Sequence, residues 1–133
     1  MQSDKNRVII KEIKKLISSF KYAGQGIISS FLSERNMKIH IIIMLLVIIM
    51  GVVLKINKHE WITCVICFAI VISGELFNTA IETVVDIVLP YQDEKAKLAK
   101  DASAGAVLVL ATGATIVGII IFLPKLAEML SIL

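Results

Sequence analysis

Residues 61–89 read WITCVICFAIVISGELFNTAIETVVDIVL, an apolar run of helical length that carries Glu75, Asn78, Glu82 and Asp86. At about 100° per residue these four positions fall within an arc of roughly 80°, so one face of the helix is a stripe of acid and amide. A charged side chain near the bilayer centre costs about 2.5 to 3.5 kcal/mol on insertion scales. Such a stripe has to be sheltered from lipid, and its default reading is functional. The run therefore sets the fold class as all-α and membrane-embedded, with a polar site inside the membrane.

Outward from this run the chain repeats the theme. Two further apolar stretches, 39–54 and 102–123, approach the length of a bilayer crossing, in a chain of 133 residues with mean hydropathy +0.86. The expectation is three transmembrane helices over 39–54, 61–89 and 102–123, forming one integral-membrane domain over 1–133, with 1–38 as surface helix and lead-in. Pro90 and Pro124 are expected to end the second and third helices. The first apolar stretch follows a long basic segment, which argues for a retained anchor rather than a signal peptide.

Within the N-terminal segment, Ile9, Ile10, Ile13, Leu16, Ile17 and Phe20 gather opposite Lys11, Lys14, Lys15 and Ser18, the pattern of an amphipathic helix lying on a membrane surface. Residues 22–26 (YAGQG) predict a glycine-bearing break, either a bend or a close approach of backbone to a ligand. Eight Lys and Arg precede Ile39, two lie between the first and second spans, three between the second and third, and one follows Leu123. By the positive-inside rule the N-terminus and the acidic mouth are cytoplasmic, at the cell membrane. A net charge of +3 with cations clustered beside apolar segments fits anionic headgroups and argues against nucleic-acid binding. Cys64 and Cys67 form a C-x-x-C inside the apolar run without a second pair, and read as packing residues. His40 and His59 read as interfacial residues at opposite membrane boundaries.

With Trp61 at the outer interface, Glu75 lies about 21 Å and Asp86 about 37 Å along the helix, against a hydrocarbon core of roughly 30 Å. The stripe thus runs from the inner leaflet into the cytosol, where Glu34, Lys100 and Asp101 join it just outside the first and third spans. Carboxylates without histidine suit a hard cation such as Mg²⁺ completed by substrate phosphates, and lysine suits the phosphates themselves. These residue types are the parts phosphoryl transfer needs, with Glu75 as a desolvated base. Two other readings stay open: carriage of protons or cations along the stripe, and a polar face that holds subunits together. Three helices enclose little interior, so a homo-oligomer is expected around the stripe.

The segment from Glu75 to Asp86 also resembles the signature of the prokaryotic diacylglycerol kinase family, E-x-x-N-[ST]-A-[IV]-E-x-x-x-D, and Lys100-Asp101 followed by ASAGAVLV resembles that family's next block. The resemblance implies a lipid kinase using ATP and Mg²⁺, three transmembrane helices plus a surface helix per subunit, and a homotrimer with shared sites. Carried over by position, Glu75 matches the catalytic base, Glu34 and Glu82 the metal-binding carboxylates, and Tyr22, Glu34, Asn78, Glu82, Lys100 and Asp101 the nucleotide-contacting residues. Asp86 completes the signature at the mouth without an assigned role. FKYAxxG from Phe20, SERN from Ser33 with Ile39-His40, and FLPK from Phe122 are similar to the Gram-positive branch. That branch implies undecaprenol as acceptor, with diacylglycerol as the alternative. Two departures stand out: residues 91–93 (YQD) where members often carry Glu-Tyr-His, and Phe77 at a usually aliphatic position.

Overall fold

The computed structural model describes residues 2–91 and 93–131. Four helices account for almost all of them: α1 (Gln2–Ser33), α2 (Arg35–Val53), α3 (Lys58–Val88) and α4 (Glu94–Ser131). The all-α expectation holds, and α2, α3 and α4 are each long and apolar enough to cross a membrane. The chain divides into two compact units, residues 1–33 and 34–133.

The first unit is α1. It keeps the amphipathic pattern of residues 8–20 but runs without interruption through residues 22–26, so the glycine break does not form. A Cβ added at Gly24 or Gly26 would meet nothing within 4 Å, and both residues are helical. A glycine costs an exposed helix only about 1 kcal/mol relative to alanine, too little to stop 32 residues that otherwise favour helix.

In the second unit short connections join α2 to α3 and α3 to α4, which makes sequential helices antiparallel neighbours. Pairings across α3 and α4 obey that register: Glu60 meets Lys125, Asn78 meets Ser103, and Asp86 meets Lys100. The α2–α3 turn is a Schellman-type stop. Ile56 N–H donates to the Gly51 carbonyl at 3.1 Å and Lys55 N–H to that of Val52 at 3.3 Å, with Lys55 in the left-handed region at φ 50°. Asn57 then caps α3 reciprocally: its side chain accepts from His59 and Glu60 N–H, and Glu60 Oε2 accepts from Asn57 N–H at 2.6 Å. Lys125 Nζ lies 3.3 Å from the same Glu60 oxygen, tying α4 to the start of α3.

This end of the bundle holds the apolar core: Ile56, Cys64, Ile121 and Phe122, with Trp61, Met50 and Phe68 packed against them. Cys64 is buried and both cysteines are free thiols, as packing residues would be. The helices approach most closely at two glycines. A Cβ on Gly51 would lie 2.8 Å from the Trp61 ring, and one on Gly74 would lie 2.6 Å from Leu110 Cδ1. The glycines of α4 do not serve this purpose within one chain, since Gly105, Gly113 and Gly118 have nothing within 4 Å of a built Cβ.

Helix bounds differ from the sequence reading at both ends of α4. Pro90 does follow the end of α3, but Pro124 sits inside α4, which continues to Ser131. Proline's fixed φ is helical, so the cost is one missing N–H to a carbonyl four residues earlier, which transmembrane helices tolerate. Residues 126–131 thereby become helix; Ile132 and Leu133 lie outside the described residues. At the other end α4 begins at Glu94, because Asp93 Oδ1 accepts from Lys95 and Ala96 N–H at 2.8 and 3.0 Å. Lys100 and Asp101 are therefore helical rather than in a loop before the helix. The departure at residues 91–93 has a local explanation in Asp93, a good N-cap; Gln92 lies outside the described residues.

Candidate active site

The stripe on α3 is graded in burial. Glu75 is 1% exposed and Asn78 6%, Glu82 is half-buried, and the Asp86 side chain is 64% exposed. α3 has 31 residues, about 46 Å at 1.5 Å each, and so outruns the hydrocarbon core and carries the stripe from apolar surroundings to water. Thr79 and Thr83 donate their hydroxyls to the carbonyls of Glu75 and Thr79 and so need no other partner.

Glu75, Asn78 and Asp86 each meet a group on a neighbouring helix, and Glu82 is held from within α3 by Asn78. At the buried end, His40 on α2 places Nε2 3.1 Å from Glu75 Oε1. The contact is a charge pairing by distance, and that oxygen has no hydrogen-bond partner among the described residues. His40 is thus not a plain interfacial residue. The sequence signal that could have found it is its spacing: helical antiparallel pairing about the 54–57 turn brings 40 to within about one turn of 75. Glu34, the half-buried residue between α1 and α2, and Glu82 both lie within Coulombic range of Glu75.

One turn on, Asn78 Nδ2 donates to Glu82 Oε1 at 3.2 Å, and Asn78 Oδ1 accepts from Ser103 Oγ at 2.7 Å. The Glu82 carboxylate fixes the direction of the amide, because only the NH₂ end can face an acceptor. Ser103, buried on α4, must then give its hydrogen to Asn78; it also sits 2.8 Å from the Lys100 carbonyl. Sequence reasoning gave Ser103 no role, because within the ASAGAVLV block nothing marks one serine as facing α3. At the exposed end Lys100 Nζ contacts both oxygens of Asp86, at 2.9 and 3.1 Å, which gives Asp86 the partner the sequence left unassigned.

Two concavities flank this array. An apolar cavity of about 430 Å³ lies among α2, α3 and α4, with Met44, Met50, Phe68 and Phe122 in its walls and His40 at the end nearest Glu75. A polar hollow at the far end of α3 is lined by Asp86, Tyr91, Lys97, Lys100 and Asp101. Among the described residues no three of His, Cys, Asp and Glu converge as a ready metal cage. Glu34 and Glu82, the carboxylates expected from the sequence to bind metal, offer hard oxygens and by number could form only an open site. That fits Mg²⁺, which takes one or two carboxylates and completes its shell with phosphate and water. Tyr22 is an exposed residue of α1, and Phe77, 71% exposed, points away from the stripe's partners.

Similarity to known proteins identifies the family. Residues 21–122 match the family described as prokaryotic diacylglycerol kinase. The undecaprenol kinase of Bacillus subtilis is 40% identical over 115 residues, 86% of this chain and 94% of that protein. A diacylglycerol kinase of Synechocystis is 37% identical over 116 residues, 86% of this chain and 66% of that protein, and one of Haemophilus influenzae is 32% identical over 94 residues, 71% and 80% respectively. With three candidate spans and a match covering most of its length, the chain belongs to the prokaryotic diacylglycerol kinase family of membrane lipid kinases.

Proposed function

We propose that this protein is an undecaprenol kinase, moving the γ-phosphoryl group of ATP to the hydroxyl of a long polyprenol, with diacylglycerol as a secondary acceptor. The observation that carries the reading is Glu75: a carboxylate 1% exposed, in contact with a histidine that lines an apolar cavity, and on the same helix face as groups that reach water. Lipid alcohol arrives from the cavity side and nucleotide from the side of Lys100 and Asp101. Preference for the polyprenol is supported by the higher identity to the Bacillus subtilis relative and by the nearly complete coverage of its length.

In this reading Glu75 takes the proton of the acceptor hydroxyl. That oxygen forms a bond to the γ-phosphorus, the bond from the γ-phosphorus to the bridging oxygen breaks, and ADP leaves. Desolvation suits the role, since a carboxylate stripped of water is a stronger base than one at the surface. Glu34 and Glu82 would hold Mg²⁺ with the nucleotide, and Tyr22, Asn78, Lys100 and Asp101 would contact the nucleotide. When bound, the ion neutralises phosphate charge. The site would be cytoplasmic by the positive-inside rule, and a homotrimer would shelter the stripe and share its sites between subunits.

The test is transfer of labelled phosphate from Mg-ATP to undecaprenol or to diacylglycerol by the purified protein in detergent, with Glu75→Gln alongside. Transfer to undecaprenol that drops at least about 100-fold in the variant is expected, the scale of a lost general base. Transfer confined to diacylglycerol would reverse the substrate assignment, and substantial turnover by Glu75→Gln would remove Glu75 as the base.

A further inference from the structure

We infer that His40 is a positioning residue for the acceptor end of the site: it holds the Glu75 carboxylate in the orientation that faces the acceptor hydroxyl. The inference rests on the lipid kinase reading with Glu75 as base, and adds to it a residue from a different helix.

Three observations carry it. First, His40 Nε2 is 3.1 Å from Glu75 Oε1, a buried oxygen that has no hydrogen-bond partner among the described residues and for which the imidazole is the cation at hand. Second, the other polar neighbours of Glu75 are committed elsewhere. Asn78 is engaged by Ser103 and Glu82, and Thr79 Oγ1 bonds the Glu75 backbone carbonyl rather than its carboxylate. Third, His40 also lines the apolar cavity, so the imidazole stands where the cavity meets the carboxylate.

A glutamate side chain has three rotatable bonds, and the α3 backbone alone leaves its carboxylate free to turn. A contact from α2 removes that freedom, because His40 has only two torsions and its side chain is 18% exposed. With Oε1 facing the imidazole, the carboxylate has a set direction when the alcohol arrives. Misplacement of a reacting group by about 1 Å is enough to lower a rate by about 100-fold. The contacts of Lys100 are untouched, because it pairs with Asp86, three turns from Glu75.

The experiment is steady-state kinetics of the full-length protein in detergent with Mg-ATP and undecaprenol, comparing wild type, His40→Ala, His40→Gln, His40→Leu and Glu75→Gln, with oligomer size checked by size-exclusion chromatography. Glutamine places an amide N–H near the Nε2 position, while leucine fills similar volume without a donor. Expected are a fall in kcat of about 100-fold for His40→Ala and His40→Leu, recovery to within about fivefold of wild type for His40→Gln, and a KM for ATP changed less than about twofold throughout. Turnover of His40→Ala or His40→Leu within about twofold of wild type would overturn the inference, and so would His40→Gln as slow as His40→Leu. If His40→Ala does not assemble, the Gln–Leu pair decides alone. An inactive Glu75→Gln beside an active His40→Leu would sink only the role of His40, whereas an active Glu75→Gln would sink the underlying assignment of the base.

Discussion

Ser103 offers a sharp test of how α4 serves the stripe on α3. Its hydroxyl gives the 2.7 Å hydrogen bond to Asn78 Oδ1, and both residues are buried, at 8% and 6% exposure. Removing the hydroxyl leaves the Asn78 oxygen without its donor. A buried acceptor deprived in this way costs about 1 to 3 kcal/mol in soluble proteins, while interhelical bonds inside membrane bundles average about 0.6 and reach about 1.7 kcal/mol. A loss of about 1 to 2 kcal/mol is therefore the reasoned range. If it falls on the arrangement of Asn78 and Glu82 in the transition state, it converts to about 5- to 30-fold in kcat/KM at 1.36 kcal/mol per tenfold. Valine and threonine have the same shape and differ by the hydroxyl, so Ser103→Val against Ser103→Thr isolates the hydrogen bond from packing. The assay is kcat/KM for Mg-ATP, with stability followed by SDS titration in mixed micelles. Equal values for the valine and threonine variants, or a valine variant within twofold of wild type, would refute the argument.

Lys100→Ala should raise the KM for ATP by roughly 10- to 100-fold, the worth of a charged contact to phosphate, with membrane insertion unchanged; unaltered ATP kinetics would take Lys100 out of the site. Breaking its pair with Asp86 should leave stability nearly unchanged, because the Asp86 side chain is mostly exposed and water screens the pair. Gly51→Ala should destabilise by about 1 to 3 kcal/mol and by more than Gly74→Ala: a new methyl at 51 meets the rigid Trp61 ring at 2.8 Å, whereas at 74 it meets the end of a Leu110 side chain that can rotate away. The reverse order in SDS titration would contradict the packing described at the α2–α3 turn.

The spans and the acidic face were legible because both depend on local pattern: apolar length for one, helical periodicity for the other. Chemistry alone did not separate a kinase from a cation relay or a subunit glue, since all three use carboxylates on a sheltered face; the family relationship decides among them. What the sequence hid were the pairings. His40 looked like an interfacial residue and Ser103 was given no role, because neither shows its partner until α2 and α4 are laid against α3. Pro124 misled for a different reason. Its rule concerns the hydrogen bond it lacks, and in a helix of 38 residues one missing bond is outweighed by those on either side. The break at residues 22–26 was overread in the same way, from glycines that the surrounding helix accommodates.

Burial along α3 also orders what each position can do. Glu75 and Asp86 are eleven residues apart, about 16 Å along the axis, with Glu82 between them about 10 Å from Glu75. Near Glu75 the neighbours are an imidazole and an apolar cavity; near Asp86 they are lysines and water. A polyprenol chain can approach only the first environment and a triphosphate only the second, so in the proposed reaction the two substrates meet over the stretch held by Asn78 and Glu82. Substitutions should then sort by depth. Those at His40 and Glu75 change kcat and leave the KM for ATP alone, those at Lys100 and Asp101 change the KM for ATP, and those at Asn78, Glu82 and Ser103 change both. A deep substitution that moved only the ATP constant, measured at saturating lipid, would mean that the nucleotide reaches further into the bundle than this gradient allows.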